Sequence, residues 1–176
     1  PEIGSIVSAA CLAHDLGNPP FGHSGERAIS TFFSEGKGMP LKGQLSAEQW
    51  EDLIHFEGNA NAFRLLTHQF EGRRKGGFVL TYSTLASIVK YPFSSSLAGK
   101  KSKFGFFTTE EDSFHRIAED LGMKMLNETP LKYARHPLVY LVAAADDICY
   151  QMIDIEAAHK LKKLTTQDPR HILLYY

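Results

Sequence analysis

The apolar residues of this chain recur at helical spacing and do not alternate with polar residues over any strand-length stretch. Residues 3–16 carry Ile, Val, Ala and Leu at this spacing and end at Gly17, which predicts a helix followed by a turn. Residues 23–33 predict a second helix. Ser46 followed three residues later by Gln49 is the pattern of a capping box, which predicts that a third helix begins there.

The remaining periodic stretches predict four more helices. They lie over residues 57–66, 81–90, about 109–122, and from Pro137 through roughly Leu161. The segments between them, including residues 34–44 and 93–107, are rich in glycine, proline and serine and are typical of loops. With no hairpin pattern in the chain, the predicted fold class is all-α.

Composition narrows the class of protein. A chain of 176 residues with 43% hydrophobic and 22% charged residues is typical of one globular domain. Its net charge of −1 argues against a dedicated nucleic-acid binder. Cys11 and Cys149 lie in apolar helical patterns, which favours buried, reduced thiols and a cytoplasmic location. Because apolar runs fall short of about 18 residues, no membrane partner is expected.

Two imidazoles and two carboxylates lie close together around the first predicted turn. His14 and Asp15 end the first helix, and an imidazole beside a carboxylate can hold a divalent cation. The alternative for this pair is a helix-terminal salt bridge or cap. His23 and Glu26 share one face at the start of the second helix, as an acid–base pair would, or as an ordinary surface pair would.

The long helix carries a second polar pattern. Asp146, Tyr150 and Asp154 are spaced four residues apart and form one stripe in an otherwise apolar segment. A buried carboxylate costs several kcal/mol unless it is paired or bound to a metal. The alternative is a solvent-exposed face that begins at Asp146.

Two further features remain open on the residues alone. His55 is a single histidine of the kind that is more often structural than functional. The basic loop from Gly72 to Gly77 is either a solvated turn or a loop that faces phosphate.

Four ordered motifs then give a resemblance. HDLGNPPFGHSGE, FEGNANAFRLLT, KYP and HPLVYLVAAADDICY resemble the bacterial dGTP triphosphohydrolase family, part of the HD superfamily of metal-dependent phosphohydrolases. The similarity runs from about Ser8 to His159. It implies an HD-domain helical bundle over residues 1–176, incomplete at the N-terminus and at the C-terminus and part of a larger all-α protein.

The resemblance implies a metal site formed by His14, Asp15 and Asp146, with Asp147 as the alternative to Asp146. The expected metal is Mg²⁺ or Mn²⁺, and Fe, Co, Ni and Zn are alternatives. The family's first metal-ligating histidine lies in an upstream segment, and no histidine precedes His14. We therefore expect a chain limited to these residues to bind metal weakly or to lack activity.

The resemblance also assigns the other site residues. His23 with its acidic partner Glu26, and His55, are expected to be catalytic. The residues expected around the nucleotide are Tyr150 and Asp154 near the sugar 3′-hydroxyl, and Asn59, Lys90 and Tyr91.

The implied reaction is metal-dependent hydrolysis of dGTP, or of several deoxynucleoside triphosphates, to a deoxynucleoside and tripolyphosphate by a homo-oligomer. One alternative is another HD phosphohydrolase that acts on nucleoside monophosphates or signalling nucleotides. The other is a non-catalytic regulatory or nucleic-acid-binding module. The candidate residues of such a module are basic: Arg73, Arg74, Lys75, Lys100, Lys101 and Lys103. Weak single-stranded DNA binding is a further expectation.

Overall fold

A computed structural model describes residues 2–72 and 77–164 of the chain. Within these ranges the all-α fold class is confirmed. The elements, in chain order, are α1 (Ile3–Ala13), α2 (His23–Ser34), α3 (Ala47–Ile54), α4 (Gly58–Thr67), α5 (Tyr82–Ile88), α6 (Glu111–Asp120), β1 (Met125–Asn127), β2 (Lys132–Tyr133) and α7 (Leu138–Lys160). The predicted basic loop of Arg73, Arg74 and Lys75 lies outside the described residues.

Local side-chain contacts explain where two of the helices begin. The Gln49 amide donates to Ser46 Oγ at 3.2 Å, and the Ser46 amide donates to Gln49 Oε1 at 3.0 Å. These two bonds complete the predicted capping box of α3. At α5, the Thr84 amide donates to Thr81 Oγ1 at 3.3 Å, so a side-chain cap also fixes this helix start.

The chain divides into two compact units, residues 1–142 and 143–176. Aromatic rings form the centre of the first unit. Phe114 of α6 stacks on Phe106 at 4.6 Å between ring centroids and meets Phe63 of α4 edge-on at 5.7 Å. All three rings are fully buried, and burial of each contributes roughly 1.5–3 kcal/mol. Helix α1 packs against α5 at the edge of this core.

The expectation of a chain without a hairpin is wrong over residues 125–133. Strands β1 and β2 pair antiparallel, with Met125 opposite Tyr133 and Asn127 opposite Lys132. The Tyr133 amide also donates to the Pro92 carbonyl at 2.8 Å, which ties the pair to the loop after α5. Strands of three and two residues are too short to show alternation, so the sequence pattern carried no signal for them.

The described part of the second unit consists mainly of the continuation of α7. Its apolar side chains Ile148, Met152 and Ile153 are exposed, and so is Cys149. Ile148 and Met152 lie one helical turn apart on the same face, and Ile153 lies beside them, so these exposed apolar residues share one side of the helix. The expectation of two buried thiols is therefore wrong for Cys149, while Cys11 is partly buried in the first unit. Among the described helices, none combines the length and apolar content needed to cross a bilayer.

Gly17 brings the turn after α1 against the backbone of α4. A Cβ atom at this position would overlap the amide nitrogen of Ala62 and the carbonyl oxygen of Gly58. The Asn61 side chain donates to the Gly17 carbonyl at 2.9 Å and fastens the same contact. The turn can therefore lie this close to α4 only because residue 17 is a glycine and has no side chain.

We expect Gly17→Ala to lower the free energy of unfolding by about 1–3 kcal/mol, because overpacking against a rigid backbone forces it to move. The matched control is Gly4→Ala, within α1, where a Cβ meets no atom within 4 Å. The control should be neutral or stabilising by up to about 1 kcal/mol. Urea denaturation measures both changes, and a Gly17 variant as stable as the control would contradict the close contact.

Candidate active site

His14 and Asp15 lie together at the end of α1. The His14 Nδ1–H donates to the Cys11 carbonyl at 2.8 Å, since a carbonyl oxygen can only accept. In the neutral ring the lone pair is then on Nε2, which lies 3.4 Å from Asp15 Oδ1. The Asn18 side chain donates to the same carboxylate oxygen at 2.9 Å. Neighbouring groups thus orient both the imidazole and the carboxylate.

This arrangement fits a metal ion by its donor chemistry. A lone pair on Nε2 and a carboxylate oxygen 3.4 Å apart repel each other unless a proton or a cation satisfies both. Metal-ligating histidines commonly donate their other ring N–H to a backbone carbonyl, as His14 does to Cys11. The contacts of His14 and Asp15 are therefore those expected of ligands.

His23 and Glu26 form a hydrogen-bonded pair at the start of α2. His23 Nδ1 lies 2.8 Å from Glu26 Oε2, and because a carboxylate accepts, the ring nitrogen donates. In the neutral ring this leaves Nε2 as a proton acceptor. The His23 side chain is 77% exposed, whereas Glu26 is mostly buried, so the imidazole is open to a ligand while its carboxylate partner is held in place.

Two hydrogen-bond donors and one nearby cation stabilise the ionised form of Glu26. Burial by itself raises the pKa of this carboxyl. The hydrogen bond from His23, the amide of Gly58 at 2.8 Å and the positive charge of Lys103 outweigh burial and hold the pKa below its ordinary value of 4.5. Glu26 is therefore ionised at neutral pH, and it can orient His23 and stabilise the imidazolium form.

Glu57 is a fully buried carboxylate that precedes α4 and caps its N-terminus. It accepts hydrogen bonds from the amides of Asn59 (2.7 Å) and Ala60 (3.1 Å) and from the Asn59 side chain (3.0 Å). Lys103 Nζ donates to it at 2.7 Å and lies 3.9 Å from Glu26 Oε2. Four donors offset the cost of burying the charge and fix Lys103 beside Glu26.

The electrostatics of Lys103 agree with this position. Burial lowers the pKa of its ammonium group, but the hydrogen bond and charge of Glu57, with the charge of Glu26, raise that pKa above its usual value. The lysine therefore stays charged at neutral pH.

A cleft of about 460 Å³ opens beside His23. Its wall carries the cationic side chains of Arg27, Lys100, Lys101 and Lys103 together with Glu26. Four cations against one carboxylate give the cleft a net positive charge. Such a surface favours an anionic ligand, and phosphate groups in particular.

His55 lies at the end of α3 and contacts two polar side chains. Its Nδ1 is 3.0 Å from Ser102 Oγ, and its Nε2 is 3.1 Å from Glu51 Oε2. Ser102 lines the same cleft as His23. The catalytic role expected for His55 stays a prediction.

The other residues expected around the nucleotide occupy two places in the first unit. The Asn59 side chain holds Glu57. Lys90 and Tyr91 are partly buried in the segment after α5, and the Tyr91 ring centroid lies 5.4 Å from the Arg135 guanidinium carbon. Contact of these residues with a nucleotide stays a prediction.

Asp146, Tyr150 and Asp154 belong to the second unit and share one stripe of α7, as predicted. Asp146 is half-buried, while Tyr150 and Asp154 are exposed. The exposed stripe also agrees with the alternative of a solvent face. The place of Asp146 in a metal site, and that of the stripe near a sugar, stay predictions.

The sequence interpretation missed Lys103 and Glu57 as site residues. The three lysines at positions 100, 101 and 103 were assigned only to nucleic-acid binding. A buried acid cannot be recognised from composition, and its partner lies 46 residues away. The available signal was the KKSK run, which concentrates positive charge in one short segment.

Known proteins with similar sequences carry closely related descriptions. A deoxyguanosinetriphosphate triphosphohydrolase-like protein of Pseudomonas aeruginosa is 45% identical over 98% of this chain and 40% of its own length. A Synechocystis protein of the same description is 43% identical over 88% of this chain and 38% of its own length. The deoxyguanosinetriphosphate triphosphohydrolase of Yersinia enterocolitica is 35% identical over 88% of this chain and 34% of its own length. No family model matches the chain.

The lowered pKa of Glu26 predicts a pH-dependent stability. Its contribution is present above the unfolded pKa of 4.5 and is lost as pH falls through the lower folded pKa. Glu26→Gln should therefore be less stable than the wild type at neutral pH, and the difference should shrink as the pH falls from 4.5 through the lowered folded pKa.

Urea midpoints across this pH range measure the effect. Glu128→Gln, in an exposed turn, controls for the loss of one carboxyl group. A difference between Glu26→Gln and the wild type that does not change with pH would contradict the stabilised carboxylate.

Proposed function

The chain belongs to the family of deoxyguanosinetriphosphate triphosphohydrolase-like proteins, of which it spans about 40% of the length, and we propose that the full-length protein hydrolyses deoxynucleoside triphosphates. The substrate is dGTP or several dNTPs. The products are a deoxynucleoside and inorganic tripolyphosphate.

One observation supports this reaction above the others: the His23–Glu26 pair lies in a cleft whose remaining charges are mainly cationic. Hydrolysis of a triphosphate ester needs a proton-transfer group beside a surface that neutralises several negative charges. An oriented imidazole next to Arg27, Lys100, Lys101 and Lys103 supplies both. An enzyme acting on monophosphates would need fewer cations.

His14, Asp15 and Asp146 are the proposed metal ligands, and a histidine in a further segment would complete the set. Mg²⁺ or Mn²⁺ bound there would polarise a phosphate oxygen and lower the pKa of a bound water. The hydrogen bonds of His14 to Cys11 and of Asp15 to Asn18 would keep both side chains in ligating orientation.

His23 is the proposed proton-transfer group. Water attacks the α-phosphorus, the bond from phosphorus to the 5′-oxygen breaks, and a proton is delivered to that oxygen as the deoxynucleoside leaves. Glu26 holds Nδ1–H of the ring, so the proton would move through Nε2. The charge of Glu26 stabilises the protonated ring before it gives up this proton.

Other residues would bind the substrate. Lys100 and Lys101 would neutralise the triphosphate from the cleft, and Lys90 remains a candidate for the same role. Tyr150 under the sugar would exclude a 2′-hydroxyl, and Asp154 would accept a hydrogen bond from the 3′-hydroxyl. Homo-oligomerisation, weak single-stranded DNA binding and a cytoplasmic location are further parts of the proposal.

The reaction is tested on the full-length protein with Mn²⁺ or Mg²⁺ and each dNTP. Tripolyphosphate is the expected product, and release of orthophosphate or pyrophosphate would contradict the proposal. His23→Ala should lower kcat by about 10²–10⁴-fold while nucleotide binding is retained, because the imidazole moves a proton rather than holding the ligand.

The matched control is His115→Ala, on α6 and outside the cleft, which should leave kcat unchanged. An unchanged kcat in His23→Ala would remove the proposed role of this histidine.

The choice between the two adjacent aspartates is tested by metal binding. Asp146→Asn should weaken Mn²⁺ binding by at least the roughly 10–100-fold typical of changes around a metal site, and Asp147→Asn should leave it nearly unchanged. Mn²⁺ titration followed by electron paramagnetic resonance measures both affinities. The reverse order would assign the ligand to Asp147.

A further inference from the structure

The His55 ring is held at both of its nitrogens. Because a carboxylate only accepts, Nε2 donates its hydrogen to Glu51 at 3.1 Å. In the neutral ring Nδ1 then accepts the hydroxyl hydrogen of Ser102, with 3.0 Å between Nδ1 and Oγ. The imidazole is thus a bridge between α3 and the segment of residues 99–103, which we call the lysine turn.

Ser102 adopts a backbone conformation that needs support. Its φ of +48° is left-handed, a region that residues other than glycine seldom occupy unless their surroundings hold them there. Its amide donates to the Gly99 carbonyl at 3.2 Å, and its hydroxyl contacts His55. These two contacts fix the direction of the chain between Lys101 and Lys103.

The two sides of the lysine turn differ in how they are fixed. Lys103 is bound to the buried carboxylate of Glu57 at 2.7 Å. Lys100 and Lys101 are exposed and line the cleft beside His23. Their like charges repel each other and that of Lys103, which favours movement into solvent. Ser102 is one of the described residues that line the cleft, and His55 is not. His55 can therefore influence the shape of the cleft through its hydrogen bond to Ser102.

We infer that His55 is a positioning residue: through Ser102 it holds the lysine turn so that Lys100 and Lys101 face the terminal phosphates of a polyphosphate bound beside His23. The inference rests on the proposed function for the identity of the ligand. It differs from a catalytic role for His55, because a positioning residue changes phosphate binding without taking part in proton transfer.

The test uses inorganic tripolyphosphate as the probe and the full-length protein, with binding measured by isothermal titration calorimetry in the absence of nucleotide. His55→Ala and Ser102→Ala should each weaken binding about tenfold, the effect expected from losing one such hydrogen bond. The double variant should bind no more weakly than either single variant, because both changes remove the same contact. In dNTP hydrolysis by Ser102→Ala, KM should rise while kcat is retained.

Two variants make the test specific. His55→Asn keeps an acceptor for the Ser102 hydroxyl and should recover most of the binding. Ser96→Ala makes the same chemical change in an exposed serine outside the cleft and should have no effect. Ser102→Ala does not alter α3, so it carries the test even if His55→Ala fails to fold.

Several results would overturn the inference. One is an additive loss in the double variant, in which the affinity for tripolyphosphate falls about a hundredfold. Another is an affinity that is unchanged in both single variants, with or without a fall in kcat. The last is a wild type that does not bind tripolyphosphate. If the wild type binds tripolyphosphate and the variants behave as expected, but no dNTP is hydrolysed, the proposed function fails and the positioning role stands.

Discussion

The buried carboxylate of Glu57 connects the segments that carry the candidate chemistry. It caps α4 through the amides of Asn59 and Ala60, and it pairs with Lys103 from the segment before α6. The α4 start that it fixes presents the Gly58 amide to Glu26 of α2. A charge without water around it must keep all its donors. The positions of Lys103, Gly58 and Glu26 therefore depend on one another.

This dependence matters for chemistry because it sets charges as well as positions. Lys103 is shared between Glu57 and Glu26, so the cleft contains a lysine whose charge is largely balanced on one side. Lys100 and Lys101 are exposed on the same wall and remain available to an anion. Lys103 therefore has a structural role in the cleft, whereas Lys100 and Lys101 can bind a ligand. His23 lines the same cleft as these lysines, and its imidazole can accept or donate a proton there.

Local patterns predicted most of the helices, because caps and helix-ending glycines act over three or four residues, as the Ser46–Gln49 box shows. The same reasoning located His23 and Glu26, which are one helical turn apart. It could not pair Glu57 with Lys103 or His55 with Ser102, since these contacts join residues 46 and 47 positions apart. For α7 the sequence allows both a buried helix and a solvent face that begins at Asp146, because apolar and polar residues are interspersed there, and the exposed Ile148, Met152 and Ile153 agree with the solvent face.

The pairing of Glu57 with Lys103 restricts the routes by which this family can diverge. Loss of Lys103 alone leaves the fully buried charge of Glu57 without its cation, and breaking such a pair typically costs about 3–5 kcal/mol. The lysine is therefore costly to replace while the glutamate is present. The residues at positions 57 and 103 should therefore vary together, and a homologue that lacks the lysine should also lack the glutamate.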